Sequence, residues 1–522
     1  MTVDWTWTIE AAVGSPLGDL TGATLCDLTG AELWDLGWND LSDDVRTDEA
    51  IEWDQGINGA GMTDLVAQSG KFSYVLDNSE ANSRGTLGAY SIGHTSVISP
   101  KWARGCAMRI GITKGGVTDY FLYYLIDTEP TAGAFADRLV SVTGSDWMSK
   151  ASLAGINKIP VQVAQRPDQV LQTLIDSTNV PPINYVINAE PQTVFAYAMH
   201  TESDEKTRLL SVLQKIAQSC GGAIFVDSDN THGETLRYEH RLMRPARSVV
   251  AALNNSMSEL SVTWPSDNLV DQVKITYNPG RVDTSDVVLA EITTEIRLAP
   301  GESRSIELRY RDPNGLANRV SAISVTAQAA GVDYRASSIE RDGGADLNSS
   351  LMVSVTAGGN SASALIYNNG SVPMYVNTLQ LRGKGLYVYE PLGYSQGAEE
   401  PIQPFEYNAP YMSEYFDAKN FAEMLYARMG DTSRPTVGAV LFYADADDTF
   451  FGYFRAGHIG YPYTLSETVT GLSSRKFYIN RRAMRIERGA LSVEWLGEPA
   501  DVYAYIQCDA GHALDDGSRV LA

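Results

Sequence analysis

Short alternations of apolar and polar residues, each cut off by a glycine, asparagine or proline turn, constrain this chain more than any other feature. Phe72, Tyr74 and Leu76 alternate with Ser73, Val75 and Asp77 before the turn-forming DNSEANSRG, the period-two pattern of a half-buried strand. Further strands are predicted at 108–113, 120–126, 139–143, 260–264, 272–277, 305–310, 352–356, 437–443 and 491–496. Strands this frequent, without regularly alternating helices, predict sandwiches or barrels. The expected fold class is therefore mainly β with a few helices, and 522 residues exceed one ordinary core and predict three or four domains.

Three helices are expected. Pro167 opens one whose Val170, Leu171, Leu174 and Ile175 share a face before Pro181-Pro182. Ser203 or Asp204 caps a second, with Leu209, Leu210, Leu213, Ile216 and Ala217 inward and Gly221-Gly222 as its stop. Ser413 caps a third, carrying apolar Tyr415, Phe416, Phe421, Met424, Leu425 and Met429. Texture changes near Asn254 and Glu390, and the turns between them predict an inserted β-sandwich. The proline-bearing YEPLGYSQGAEEPIQPFEYNAP that follows reads as an extended connector.

Near the start, Asp19-Leu20-Thr21-Gly22 returns as Asp27-Leu28-Thr29-Gly30 and weakly as Asp35-Leu36-Gly37-Trp38. Eight-residue spacing fits no common solenoid, so a small edge meander is expected, its leucines inward and Asp19, Asp27, Asp35, Asp40, Asp43 and Asp44 wet. The net charge of −24, from 64 acidic and 40 basic residues, argues against a surface that grips phosphates. No apolar run is long enough to cross a bilayer as a helix, and MTVDWTWTIE lacks the pattern of a signal peptide, so folding in a cytoplasm is expected.

Site chemistry is sparse. Cys26, Cys106, Cys220 and Cys508 are dispersed and read as free thiols. DSDNTHGE, from Asp227 to Glu234, superficially resembles a calcium loop, but its glycine is misplaced and Tyr238 stands where a bidentate Glu belongs; a hairpin turn is expected. DADD, from Asp445 to Asp448, reads as a solvated turn. Among His94, His200, His232, His240, His458 and His512, the pair His232 and His240 lies across the hairpin turn without a third zinc ligand. No nucleophile, metalloprotease or phosphate-loop motif stands out. The expectation is a non-enzyme with no catalytic, cofactor or metal residues and no cofactor.

Several segments resemble, in order, tail hub or baseplate hub proteins of long-tailed bacteriophages. The residues that carry the likeness begin with Asp44-Val45-Arg46 and IEWDQGI from Ile51 to Ile57. They continue with GKFSYVLDNSEANSRG from Gly70 to Gly85, Tyr90-Ser91, Gly93-His94 and the strand VTGSDWM from Val142 to Met148. LLSVLQKIAQSCGGAIFVDSDN from Leu209, the run Asn268 to Tyr277 and the segment Ser413 to Trp495 complete the order. The likeness covers most of the chain outside the insertion and the final residues.

The resemblance implies two tail-tube-like β-barrels in one chain, three chains forming a ring of six barrels. On that pattern, residues 1–165 are the first barrel, 166–250 an α+β brace, 251–283 plus 400–505 the second barrel, 284–399 the sandwich and 506–522 a C-terminal tail. Implied partners are two further copies in a homotrimer, a tail tube or distal tail protein, other tip or fibre proteins, and DNA passing the lumen without specific binding, with no membrane span. The implied location is the virion tail tip, assembled in the host bacterial cytoplasm. Some relatives hold an iron–sulfur cluster on close cysteines, which this chain does not match; fibre and cell-wall-cutting parts are expected on other chains. The alternatives are a tip adhesin that binds a host saccharide or protein through the sandwich, and a hexameric distal tail ring.

Overall fold

The computed structural model describes residues 4–13, 37–58, 64–94, 97–133, 137–191, 193–200, 207–231, 233–263, 270–312, 319–429 and 436–500. The mainly β expectation holds. In chain order the N-terminal strands are β1 (Thr6–Ala11), β2 (Asn39–Asp40), β3 (Ile51–Gly56), β4 (Lys71–Asp77), β5 (Ala107–Lys114), β6 (Val117–Pro130) and β7 (Leu139–Ser145), followed by helix α1 (Trp147–Leu153). Next come β8 (Gln162–Gln165), α2 (Pro167–Ser177), β9 (Tyr185–Ile187), β10 (Phe195–Ala198), α3 (Leu209–Cys220), β11 (Ala223–Asp227) and β12 (Thr235–Glu239). Strands β13 (Ala251–Leu253), β14 (Glu259–Thr263) and β15 (Gln272–Tyr277) lead to the insertion.

Between β15 and the returning chain lie β16 (Gly280–Val282), which starts before the 284–399 expected for the sandwich, then β17 (Val287–Glu291), β18 (Ile296–Leu298), β19 (Ser303–Arg309), β20 (Arg319–Val325), β21 (Tyr334–Ile339), β22 (Gly343–Asp346), β23 (Leu351–Ala357), β24 (Ser361–Asn368) and β25 (Met374–Val388). The chain returns through β26 (Leu392–Gly397), β27 (Pro404–Asn408), α4 (Tyr415–Met429), β28 (Thr436–Tyr443), α5 (Asp448–Ala456), β29 (Pro462–Glu467), β30 (Leu472–Glu487) and β31 (Ala490–Pro499).

The dominant element is one 13-stranded sheet in the order β14-β28-β31-β30-β3-β4-β7-β6-β5-β1-β2, with β29 on β30 and β13 on β29. N-terminal and C-terminal strands meet at β3 and β30, antiparallel, with Ile51 opposite Ile486, Trp53 opposite Met484 and Gln55 opposite Arg482. Because side chains alternate across a strand, Trp53, Phe72, Met484, Val493 and Trp495 all point to one buried core shared by both halves. Its aromatic rings interlock: Trp53 meets Phe121 at 5.7 Å between centroids, and Phe442 meets Trp495 at 4.9 Å, edge to face.

A second core packs α1, α2 and α3 against β11 and β12 through Trp147, Leu171, Leu174, Leu213, Ile216 and Phe225. In the insertion, the long β25 pairs β16, β17, β18, β20 and β21, while β19, β24 and β23 form a second sheet. The two enclose a core around Leu298, Leu308, Ile366, Met374 and Val376.

Some sequence expectations need correction. The VTGSDWM strand stops at Ser145: Asp146 caps α1 by accepting the Met148 N–H at 3.0 Å, so Trp147 and Met148 are helical. DADD is the solvated turn expected of it and also leads into a helix, Asp447 accepting the Phe450 N–H of α5 at 2.9 Å. Five α-helices stand among the described residues where three were expected; the two missed ones are only 7 and 9 residues long, too short to display a helical period. The proline-bearing connector supplies β26 and β27, which pair with both edges of β15, antiparallel and parallel respectively. Pro404, the first residue of its strand, breaks no internal rung. Ser203 and Asp204 lie outside the described residues, and Arg208 occupies the N-cap of α3. On α4, Phe421 and Leu425 are buried as expected, but Tyr415 and Phe416 are exposed, the latter by 72%.

The β3–β30 seam requires glycine at its end. Gly56 has φ +108°, and a Cβ there would stand 2.4 Å from the Asn480 carbonyl oxygen. Gly85, with φ +62°, has no atom within 4 Å of its Cβ position. Gly56→Ala is expected to exceed the backbone strain of about 1–3 kcal/mol that Gly85→Ala incurs, read as the larger fall in urea midpoint; equal effects would contradict close packing at the seam.

Candidate functional site

The N-terminal strand β3, the β11–β12 hairpin of the central segment and the C-terminal strand β30 meet at a buried ionic cluster. Asp227 ends β11 fully buried, its Oδ1 3.3 Å from Nη2 of Arg482 and its Oδ2 3.0 Å from Nδ1 of His458 and 3.5 Å from Nε of Arg237. Arg482, 2% exposed on β30, also donates to the Ser228 hydroxyl, to Gln55 Oε1 at 3.4 Å and to the Gly457 carbonyl at 3.3 Å. Its guanidinium lies 5.1 Å from the ring centroid of Phe121. Burial alone would raise the Asp227 carboxyl, yet its contacts with His458, Arg482 and Arg237 outweigh it and hold it well below the usual carboxylate range.

A second cluster repeats the theme one turn of chain away. Glu239 takes Arg244 Nε at 3.2 Å and Arg247, and Arg244 reaches on to Glu498 at 3.1 Å and Asn480 at 2.6 Å. Both clusters therefore bolt the β11–β12 hairpin to β30 and β31 with charge-assisted bonds.

Beside them stand two buried carboxyl groups facing the first segment. Glu234 accepts the Tyr124 hydroxyl at 2.8 Å and the Trp147 N–H at 3.2 Å; Asp146 accepts the Gly70 N–H at 2.9 Å. Burial pushes Glu234 from 4.5 up to about 7, and Asp146 also upward despite its two backbone donors. Lys150 sits over the Tyr124 ring, and its own pKa is lowered by burial.

The solvent face of the large sheet carries a different arrangement. A groove of about 740 Å³ crosses β4, β3, β30, β31 and β28. Four carboxylates, Glu52, Asp54, Glu487 and Glu494, face three cations, Lys71, Arg481 and Arg485. Arg485 bridges Glu52 at 3.1 Å and Glu487 at 2.9 Å, and Arg481 joins Asp54 and Glu494, the latter at 3.9 Å.

The other residues singled out in the sequence are scattered. Asp227 to Glu234 does form the β11–β12 turn, with Asp229 accepting the Thr231 N–H at 2.7 Å. His232, His512, Cys26, Cys508, Asp19, Asp27 and Asp35 lie outside the described residues. Cys106 and Cys220 are buried free thiols, each pushed up to about 11 by burial. Among the described residues, no three His, Cys, Asp or Glu side chains gather to hold a metal. Asp40 and Asp43 are exposed, whereas Asp44, expected to be wet, is 4% exposed. It accepts the Ser83 N–H and hydroxyl, each at 2.6 Å, and the Tyr90 hydroxyl, so it ties down the DNSEANSRG loop.

Arg482 was missed by motif reading, but strand parity marks it: in RRAMRIE it shares phase with Met484 and Ile486, while Arg481 and Arg485 share the outer phase.

No protein family matches the chain, and no curated protein sequence matches it. Among solved structures, it is similar to the 43 kDa tail protein of prophage MuSo2 from Shewanella oneidensis, at 10% identity and TM-score 0.47, covering 95% of this chain and 99% of that one. It is similar to a tail protein from Neisseria meningitidis MC58, at 10% identity and TM-score 0.47, covering 95% and 98%. Prophage tail protein gp18 from Listeria monocytogenes EGD-e aligns at 8% identity and TM-score 0.39, covering 96% and 97%.

Two outcomes test the buried charges. Asp227→Asn or Arg482→Met, each stranding a buried partner, is expected to cost about 3–5 kcal/mol in urea unfolding, with the double variant recovering part of the loss; additive losses would contradict direct pairing. Glu234 acts with the opposite sign to Asp227. Between pH 4.5 and about 7 the folded chain holds a proton on Glu234 that the unfolded chain releases, so stability falls as pH rises through this window. Unfolding free energies between pH 5 and 8 are expected to show Glu234→Gln gaining up to about 3 kcal/mol on the parent chain; parallel pH curves would remove Glu234 as the source. Asp227 stabilises fully above 3.8, a contribution lost as pH falls below it.

Proposed function

We propose that the chain is a structural, non-enzymatic component of a bacteriophage tail tip, a hub that ends the tail tube, forms part of the DNA conduit and docks ring and fibre proteins. The observation that carries this reading is the single sheet in which N-terminal and C-terminal strands become one wall at β3 and β30. Where the groove crosses β4, β3, β30, β31 and β28, a wall buried on the Trp53 side and polar on the other suits a tube subunit, whereas β6 is buried on both faces by the two cores.

Among the described residues the sheet ends at β14, at β2 and, on its branch, at β13, each paired on one side only. Open edges of this kind are covered by neighbouring copies when rings form. The two halves of the wall are taken as the two tube-like modules of the hub, β11–β12 and the helices as their brace, and the strands between β16 and β25 as a peripheral sandwich.

The grooved face also accords with a conduit. Nucleic-acid affinity comes from Lys and Arg displacing the counterions of phosphates. Arg481 and Arg485 are already committed to carboxylates, and the groove's charges nearly balance, with four carboxylates against three cations. Duplex DNA passing such a face meets few uncommitted cations. No helix among the described residues is long and apolar enough to cross a membrane.

Light scattering of the purified chain is expected to give a threefold oligomer with negligible affinity for duplex DNA at about 0.15 M salt, where screening acts over ~8 Å. A stable monomer throughout the micromolar range, or salt-sensitive DNA binding, would contradict the reading; a sixfold ring would shift it to a distal tail ring.

A further inference from the structure

We propose that the cleft between α3, β15, β27 and the end of β25 is a binding site for a neutral saccharide. Its volume is 640 Å³, within the range of sites that hold small ligands. Four separate parts of the chain build it, and their geometry follows from how each is packed.

Helix α3 buries Leu209, Val212, Leu213, Ile216 and Ala217 in the second core. Its opposite stripe, Ser211, Gln214, Lys215 and Gln218, consequently forms one wall of the cleft. Thr276 and Asn278 come from β15 and the residue just beyond it, and Asn408 and Pro410 from β27 and its exit. Tyr389 and Pro391, following β25, complete the lining with an aromatic ring and a flat pyrrolidine face.

The chemistry of this lining selects the ligand. It contains amides, hydroxyls and one ammonium, with no carboxylate and no arginine. Lys215 has an interaction of its own within the chain, so the cleft offers no uncommitted charge for an anion, and nothing in it compensates a cation. Among the described residues, no side-chain hydrogen bond engages Ser211, Gln214, Gln218, Thr276, Asn408 or Tyr389. Asn278 is tied, donating to the Pro410 carbonyl at 3.0 Å.

An apolar ligand would cover these groups without satisfying them, a cost of about 1–3 kcal/mol for each one buried. Each amide both donates and accepts, matching neighbouring hydroxyls on a sugar ring, while Tyr389 and Pro391 offer surface to its C–H face. An extended peptide would use the same amides, but its side chains need apolar pockets, and Val388 is the sole aliphatic side chain of the lining.

Saturation-transfer NMR on the full chain, with maltotriose, chitotriose and trialanine as separate probes, tests the proposal. A saturable signal is expected from maltotriose or chitotriose at concentrations up to about ten times a millimolar Kd. Gln218→Ala and Asn408→Ala, both at the cleft surface, are each expected to weaken that binding about tenfold, equivalent to ~1.4 kcal/mol, with unchanged melting temperatures. Absence of both saccharide signals, binding of trialanine alone, or saccharide affinity unchanged in both variants would overturn the assignment. Because the readout is ligand binding in solution, it stands or falls separately from the oligomeric state.

Discussion

The ion pair between Asp227 and Arg482 is the constraint on which the assembly of this chain turns. It joins a hairpin of the central segment to a strand of the C-terminal segment, and Arg482 extends it to Gln55 of the N-terminal segment. Apolar packing alone is tolerant of sliding, since any well-filled arrangement of the large aromatic core would bury similar area. A fully buried carboxylate has no such latitude: displaced from its cations it would carry an uncompensated charge. The pair therefore selects one docking of the three segments, and with it the register in which Gln55 faces Arg482 and β3 meets β30.

The neighbouring charges show why this junction is built from polar groups. Glu239, Arg244, Arg247 and Glu498 continue the same line of contact toward β31, while Glu234 and Asp146 face the first segment with burial holding their pKa values high. One side of the β11–β12 hairpin is thus fastened by ionised groups and the other by carboxyls that resist ionisation. The two respond to pH in opposite senses, so the junction is tightest where Asp227 is charged and Glu234 still carries its proton.

Much of the fold was legible in the sequence because strand alternation is a local signal. The strand at 72–77 and the helix from Pro167 needed only their own side chains to be recognised, and the sandwich only its turns. Long-range pairing was not legible: β3 and β30 lie more than four hundred residues apart, and no periodicity within either names the other. The connector between β26 and β27 misled because its prolines and glycines outweigh a pattern completed only by the edges of β15. Helices α1 and α5 are too short to show a period, though Asp146 and Asp447 were visible as capping residues. At the site, DSDNTHGE was correctly read as a turn, but Asp227 itself was not distinguished from a solvated aspartate. Its partner could have been found from the inward phase of Arg482. Asp44 was misplaced for a related reason: the loop that it anchors folds back over it, an event of tertiary structure alone.

The N-terminal and C-terminal strands form one wall at β3 and β30, and the grooved face of that wall is the one proposed to line a conduit. A density map of the assembled tail tip tests it most directly, at a resolution sufficient to trace strands. The account predicts three copies around the axis, with β14 and β2 meeting strands of adjacent copies and Glu52, Asp54, Arg481 and Arg485 turned toward the bore. A map in which those four side chains face the outside of the particle, or in which β3 and β30 lie in separate unpaired sheets, would contradict it.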